Sequence, residues 1–271
     1  MDIKEELQLL QKPVAMITCY DALTAKTAEQ AGADFLLVGD SGGTNILGYK
    51  SVNEVKLDDM LFLTKSVKRA NTKCKIISDI PYEILYEKPD DIVSASQKLL
   101  DCGADMVKIE IEGDGIELLK RITAVKIPVC SHIGYTPQTP NLEVSVQGKN
   151  IERAKELVKF AKDSQKFGAE MIVLELIPSN LAKYITEILD IATIGIGSGQ
   201  FCGGQVQVWC DIAGFSPKIY RHSKLFANAK ETLLSAFKNY VNEVRNGSFP
   251  TELNASFVND EILEELRMIY V

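Results

Sequence analysis

A (β/α)8 barrel is the fold this sequence predicts, and three observations lead there. Eight short apolar runs alternate with amphipathic segments, and strict β/α alternation implies a parallel sheet. A small repeat, "AGAD" at Ala31, "CGAD" at Cys102 and "FGAE" at Phe167, each time ends a helix and leads into a strand; its Gly takes the left-handed conformation that closes a helix. The 271 residues, 46% of them hydrophobic, show no clear linker or low-complexity segment. That favours one closed barrel over a doubly wound open sheet.

Taken in order, the strands are expected at "AMITCY", "FLLVGD", "KIISDIP", "MVKIE", "IPVCSHIG", "MIVLELIP", "ATIGIGSG" and "VQVWCDIAG". Between them, apolar residues at three- and four-residue spacing predict helices over Ala22–Gln30, Leu57–Ala70, Ile92–Asp101, Gly115–Val125, Ile151–Phe167 and Asn180–Leu189. A last helix is expected at about Lys230–Val244, followed by the apolar tail "LEELRMIY". The whole of 1–271 reads as one catalytic barrel domain with a short N-terminal helix and a C-terminal helical tail.

The totals limit the function. A net charge of −7 without a Lys/Arg run argues against a nucleic-acid or anionic-membrane footprint. The start, "MDIKEELQLLQK", is acidic and has no apolar signal core, and no run is long enough to cross a bilayer, so a cytoplasmic protein is expected. The six cysteines form no C-x-x-C pair and read as reduced core thiols.

The fourth strand, "MVKIE", carries charge where a buried parallel strand should be apolar. Side chains at i and i+2 share a face, so Lys108 and Glu110 face the same way as Met106, opposite to Val107 and Ile109. Buried charges need partners. In such barrels the active site lies at the carboxyl ends of the strands, and polar residues gather there: Asp40 and Ser41, Asp79, Lys108 and Glu110, His132 and Glu175. Asp40, Asp79 and Glu110 form a hard oxygen set suited to Mg²⁺, which could chelate a 2-oxo acid and stabilise its enolate. Lys108 adds a cation for the same anion. Glu175, on a strand further round the barrel, is the candidate general base; among Val173, Leu174, Leu176 and Ile177 its pKa should rise. Taken singly, each carboxylate reads equally well as a cap or loop residue, whereas four in register do not, and a structural ion pair is the lesser reading of Lys108 with Glu110. His132 reads as a hydrogen-bonded residue lining the site, and His222 as part of a basic, surface-like stretch. The turn "GIGSG" is a weak phosphate-cradle signal; a close approach of substrate or loop is the preferred reading.

The segments "MITCYDALTAKTAEQAGADFLLVGDS", "DIPY", "GADMVKIE", "IPVCSHIGYTPQ", "VLELIP" and "IGIGSG", in that order, resemble the ketopantoate hydroxymethyltransferase family over about Ala15 to Phe249. The resemblance implies a barrel of the phosphoenolpyruvate mutase and isocitrate lyase type. It also implies transfer of a one-carbon unit from methylenetetrahydrofolate to 3-methyl-2-oxobutanoate, giving 2-dehydropantoate in pantothenate biosynthesis. Asp40, Asp79 and Glu110 then match the family's Mg²⁺ site, directly or through water. Asp40, Ser41, Asp79 and Lys108 match its oxo-acid contacts, and Glu175 its proton acceptor. A homo-oligomer, a decamer of two pentameric rings, is expected from the same resemblance and the apolar tail. The chain departs from the family at Gly48-Tyr49, at Cys210-Asp211 and around "TPNLEVSVQGK", which touches the expected folate end rather than the metal set. Alternative readings are a Mg²⁺-dependent 2-oxo acid lyase and a catalytically silent paralogue; the first lacks a cysteine-containing lid motif here, and intact Lys108 and Glu175 argue against the second.

Overall fold

The computed structural model describes residues 12–217 and 220–270; the expected N-terminal helix lies outside them. Eight parallel strands close in sequence order, with β1 paired to both β2 and β8. They are β1 (Val14–Thr18), β2 (Phe35–Val38), β3 (Lys75–Asp79), β4 (Met106–Glu110), β5 (Val129–Gly134), β6 (Met171–Glu175), β7 (Ala192–Ile196) and β8 (Gly204–Gln207). Helices α1 (Ala22–Gln30), α2 (Leu57–Lys68), α3 (Ile92–Asp101), α4 (Gly115–Ala124), α5 (Ile151–Lys166) and α6 (Ser179–Glu187) follow the first six strands in turn. The alternation lapses between β7 and β8, which residues 197–203 join without a helix.

Several strands end before their apolar runs do, and the last departs most. "VQVWCDIAG" leaves the sheet after Gln207, and Trp209–Ala213 forms a short helix, α7. Thr18 Oγ1 accepts the Trp209 N–H at 3.0 Å, and the Asp211 and Ile212 N–H groups turn back to Val208 O. A helical turn, anchored across the barrel seam by the Thr18 hydroxyl, therefore replaces further strand pairing beyond Gln207.

The repeat has the predicted geometry and a further use. Gly32, Gly103 and Gly168 have φ of 85°, 109° and 93°, the region that favours glycine. The acid that follows also ties down a neighbouring strand: Asp34 Oδ2 accepts the Ala15 N–H and Asp105 Oδ2 the Ile76 N–H, each at 2.9 Å.

Strand alternation separates two cores. Outward residues such as Leu36, Ile76, Val107, Ile109 and Leu174 pack under the helices. Inward residues Met16, Phe35, Ile77, Met106, Cys130, Met171, Ile194 and Val206 fill the barrel. Lys108 and Glu110 continue the inward face above Met106, as their spacing predicted.

Contacts divide the chain into two compact units. The first holds the barrel, through Ile212 and with Ser216–Leu225; the second comprises Ala213–Phe215 and the chain from Phe226. The second contains α8 (Ala229–Asn246) and α9 (Asp260–Tyr270), neither of which has a buried residue. Phe237, Tyr240, Val244, Ile262, Leu266 and Ile269 are all exposed apolar side chains of these helices. Among the described residues, no helix is long and apolar enough to cross a membrane.

Candidate active site

The inward face turns polar at the carboxyl end of the barrel. A cavity of about 110 Å³ there is lined by Asp40, Ser41, Asp79, Lys108, Glu110, His132 and Glu175 among others. Every site residue read from the sequence therefore reaches one chamber. It adjoins a second cavity of about 390 Å³, which shares Ser41 and Glu175 and adds Tyr135, Asp211, Tyr220 and His222.

Strand register sets the pairings. β3 and β4 place Asp79 beside Lys108, and their charges meet at 3.0 Å. The other Asp79 oxygen accepts the Asp40 N–H at 3.1 Å. β4 and β5 place Glu110 beside His132, where Nδ1 lies 3.8 Å from Glu110 Oε1. Lys108 Nζ donates to His132 Nδ1 at 3.5 Å, which assigns the imidazole proton to Nε2. That nitrogen lies 3.2 Å from Glu175 Oε2. A run of close approaches, Asp79–Lys108–His132–Glu175, thus crosses the chamber from the metal-candidate side to the candidate base, with His132 Nε2 making no hydrogen bond at its end.

Burial and like charges set the protonation of this chain. Burial pushes the Asp79 carboxyl up to about 7; Lys108 opposes the rise and Asp40 adds to it. Glu110 is raised well above the usual carboxylate range, again chiefly by burial. Burial alone would lower the Lys108 ammonium, but Asp79, Asp40 and Glu110 outweigh it and hold Lys108 above its ordinary value. His132 is pushed well below its ordinary value by burial and by Lys108, so it is neutral at pH 7. Glu175 is raised by burial to about 7, with Lys108 and His222 opposing. Lys108 stays the fixed cation and Glu175 is poised between its two states.

Two further residues complete the chamber. Gln138, on the loop after β5, donates its backbone N–H to both Glu110 oxygens, at 3.2 and 3.1 Å. Its side-chain amide donates to Asp40 Oδ2 at 2.8 Å and Ile80 O at 2.9 Å. It therefore ties together the two candidate metal ligands that come from β4 and the end of β2. Tyr20, fully buried at the end of β1, meets Ser41 Oγ at 2.8 Å through its hydroxyl. Nothing in the sequence marked Gln138, between Pro137 and Pro140, or Tyr20 beyond its place at a strand end. His222 differs from its surface reading: it is half-buried and shares the outer cavity with Glu175. The departures at Tyr49 and Cys210 lie off both cavities. The Tyr49 hydroxyl donates to Asp59 at 3.2 Å, and Cys210 is a buried thiol raised to about 12 by burial. Asp211 does line the outer cavity.

The donor set can be weighed against Mg²⁺. Among the described residues, no group of three or more His, Cys, Asp or Glu side chains is gathered closely enough to hold a metal ion, so Asp40, Asp79 and Glu110 do not form a closed three-carboxylate shell. Mg²⁺ characteristically takes one or two carboxylates and keeps water or substrate oxygens, which an open set of this kind suits. Three buried carboxylates facing one ammonium leave an excess of negative charge that a hard dication would offset. The buried Gln138 Oε1, which lacks a hydrogen-bond partner, is a further hard oxygen beside them.

A closed parallel barrel with an acid–base chamber at the carboxyl ends of its strands defines a (β/α)8 enzyme. Its architecture is similar to that of 2,3-dimethylmalate lyase, a PEP mutase/isocitrate lyase superfamily member, with a TM-score of 0.61 at 12% identity over 98% of this chain and 97% of that one. Residues 3–252 match the sequence profile of ketopantoate hydroxymethyltransferase, and the chain belongs to that family. It is 42% identical to the 3-methyl-2-oxobutanoate hydroxymethyltransferase of Acetivibrio thermocellus over 94% of this chain and 92% of the relative. For the enzyme of the same name from Thermotoga maritima the identity is 42%, over 89% and 91%.

Proposed function

We propose that this chain transfers a one-carbon unit from methylenetetrahydrofolate to 3-methyl-2-oxobutanoate, yielding 2-dehydropantoate and tetrahydrofolate with uptake of water, in the pantothenate branch of cytoplasmic metabolism. The observation that carries the reading is Glu175, raised to about 7 and held 3.2 Å from a neutral imidazole, across the chamber from the Asp79–Lys108 pair.

Asp40, Asp79 and Glu110 are the residues that would hold Mg²⁺, which when bound supplies Lewis-acid polarisation of the 2-oxo acid's oxygens. Lys108 offers its permanent charge to the same anion. Ser41, oriented by Tyr20, is placed to donate a hydrogen bond to the substrate. Glu175 takes the proton from the third carbon, for which a pKa near the working pH is the most effective. The resulting carbon nucleophile attacks the methylene group, the folate nitrogen leaves, and water supplies the new hydroxyl. The outer cavity, with Tyr135 and Tyr220 on its wall, is the route by which the bulkier donor reaches the chamber.

Incubation with 3-methyl-2-oxobutanoate, methylenetetrahydrofolate and Mg²⁺ should give 2-dehydropantoate, identified by mass spectrometry. Consumption of the oxo acid by C–C cleavage instead would select the lyase reading.

A further inference from the structure

The "GIGSG" turn after β7 plays no part in the chemistry above, yet its atoms close tightly around the backbone that carries Glu175. Leu176, next to the proposed base, has φ of 48°, a left-handed conformation that a non-glycine residue resists. Such a conformation persists only where its surroundings over-determine it, and here they do. Glu175 O accepts the Tyr135 N–H at 2.8 Å, Leu176 N–H bonds to Ile196 O at 2.9 Å, and Leu176 O accepts the Gln147 N–H at 2.7 Å. Ser198, fully buried, closes the set with its one hydroxyl. It donates to Leu174 O at 2.7 Å and accepts the Ile177 N–H at 3.1 Å, so it grips the residues on both sides of the Glu175–Leu176 kink.

The glycines of the turn make that approach possible. A Cβ at Gly197, whose φ is 67°, would stand 2.7 Å from Leu176 Cδ2 and 3.0 Å from His222 Cβ. A Cβ at Gly199 would collide with Ser179, the first residue of α6. The turn thus packs closely against the β6–α6 connection, while Gly197 and Gly199 also border a cavity of about 840 Å³ with Ser179, Arg221 and His222.

We propose that Ser198 is a positioning residue for the Glu175 carboxylate, acting through the left-handed Leu176 that its hydroxyl clamps. Without the clamp, the Ile177 N–H loses its partner and the left-handed Leu176 loses one of the restraints that oppose its relaxation towards an extended conformation. Relaxation would rotate the peptide that follows Glu175 and carry the carboxylate away from His132. Since a misplacement of about 1 Å can cost ~10²-fold in rate, the proton-transfer step should be sensitive while substrate binding, made elsewhere in the chamber, should not. The inference rests on Glu175 being the proton acceptor.

The test is deuterium uptake at the third carbon of 3-methyl-2-oxobutanoate in D₂O with Mg²⁺ and no folate, alongside the substrate Kd from calorimetry. Ser198→Ala should lose exchange by about tenfold or more with Kd changed by less than about threefold. Leu176 supplies a second pair that does not depend on how well the serine variant folds. Leu176→Gly, free to be left-handed, should keep exchange within about threefold of the parent, whereas Leu176→Val, β-branched and averse to that region, should fall about tenfold. Exchange by Ser198→Ala within about twofold of the parent, or an equal loss in Leu176→Gly and Leu176→Val, would overturn the proposal. Glu175→Gln separates the two claims: exchange lost there but intact in Ser198→Ala removes only the positioning role, whereas exchange retained in Glu175→Gln removes the base and the positioning role together.

Discussion

At the scale of single residues, the chamber works because neighbours hold Lys108 and His132 in opposite states. Lys108 is kept charged by three carboxylates, and His132, beside that charge, is kept neutral. Glu175, like Asp79 beside Lys108, is left near the midpoint, at about 7. A base acts when ionised, so exchange of the substrate proton should rise as pH increases through about 7 and level off above it. A rate-against-pH profile from pH 5 to 9 checks this; a plateau reaching down to pH 5 would mean that Glu175 titrates as an ordinary carboxylate. The identities of these residues could be read from the sequence because period-two alternation puts Lys108 and Glu110 on one face, and a buried charge demands a reason. Gln138 and Tyr20 could not be read that way. Gln138 acts on Glu110 through its backbone N–H, which every residue but proline possesses, so its role has no chemical signature in the side-chain pattern.

At the scale of elements, most spans were legible because each of the first six strands is a short apolar run followed by its own helix. α1 and α3 coincide with their expected ranges, Ala22–Gln30 and Ile92–Asp101. The end of β8 was not legible, since apolar content does not distinguish a strand from a buried helical turn and the deciding bond, Trp209 N–H to Thr18 Oγ1, spans the barrel seam. The repeat was recognised as helix closure, but its acids were seen only as entries to the next strand. In the structure Asp105 bonds the Ile76 N–H and pairs with Lys75 at 3.3 Å, joining the start of β4 to that of β3. Asp105→Ala should therefore lower stability by about 1–2 kcal/mol, the worth of a backbone donor left without its carboxylate partner, and leave exchange activity unchanged. Urea unfolding measures the first and the D₂O assay the second; a loss of activity without a loss of stability would show that the foot of the barrel communicates with its mouth.

At the scale of the whole molecule, eight strands, the first six each followed by a helix, pointed to closure into a barrel, and the inward face of that barrel assembled residues as far apart in sequence as Asp40 and Glu175. The helices α8 and α9 carry apolar side chains without burying a single residue, and surfaces of that kind favour association. We expect a homo-oligomer larger than a dimer, the decamer of the family resemblance, and light scattering at micromolar concentration checks it; a monomer would rule it out. The account as a whole depends on one proton transfer inside the barrel mouth. Deuterium uptake at the third carbon of 3-methyl-2-oxobutanoate, followed by NMR in D₂O with Mg²⁺ and no folate, tests it most directly. The unaltered protein should exchange that proton, and Glu175→Gln should bind the oxo acid with similar affinity yet exchange on the order of a hundredfold more slowly. Exchange at the parent rate in Glu175→Gln would contradict the account and pass the role of base to another group in the chamber, with His132 the first to examine.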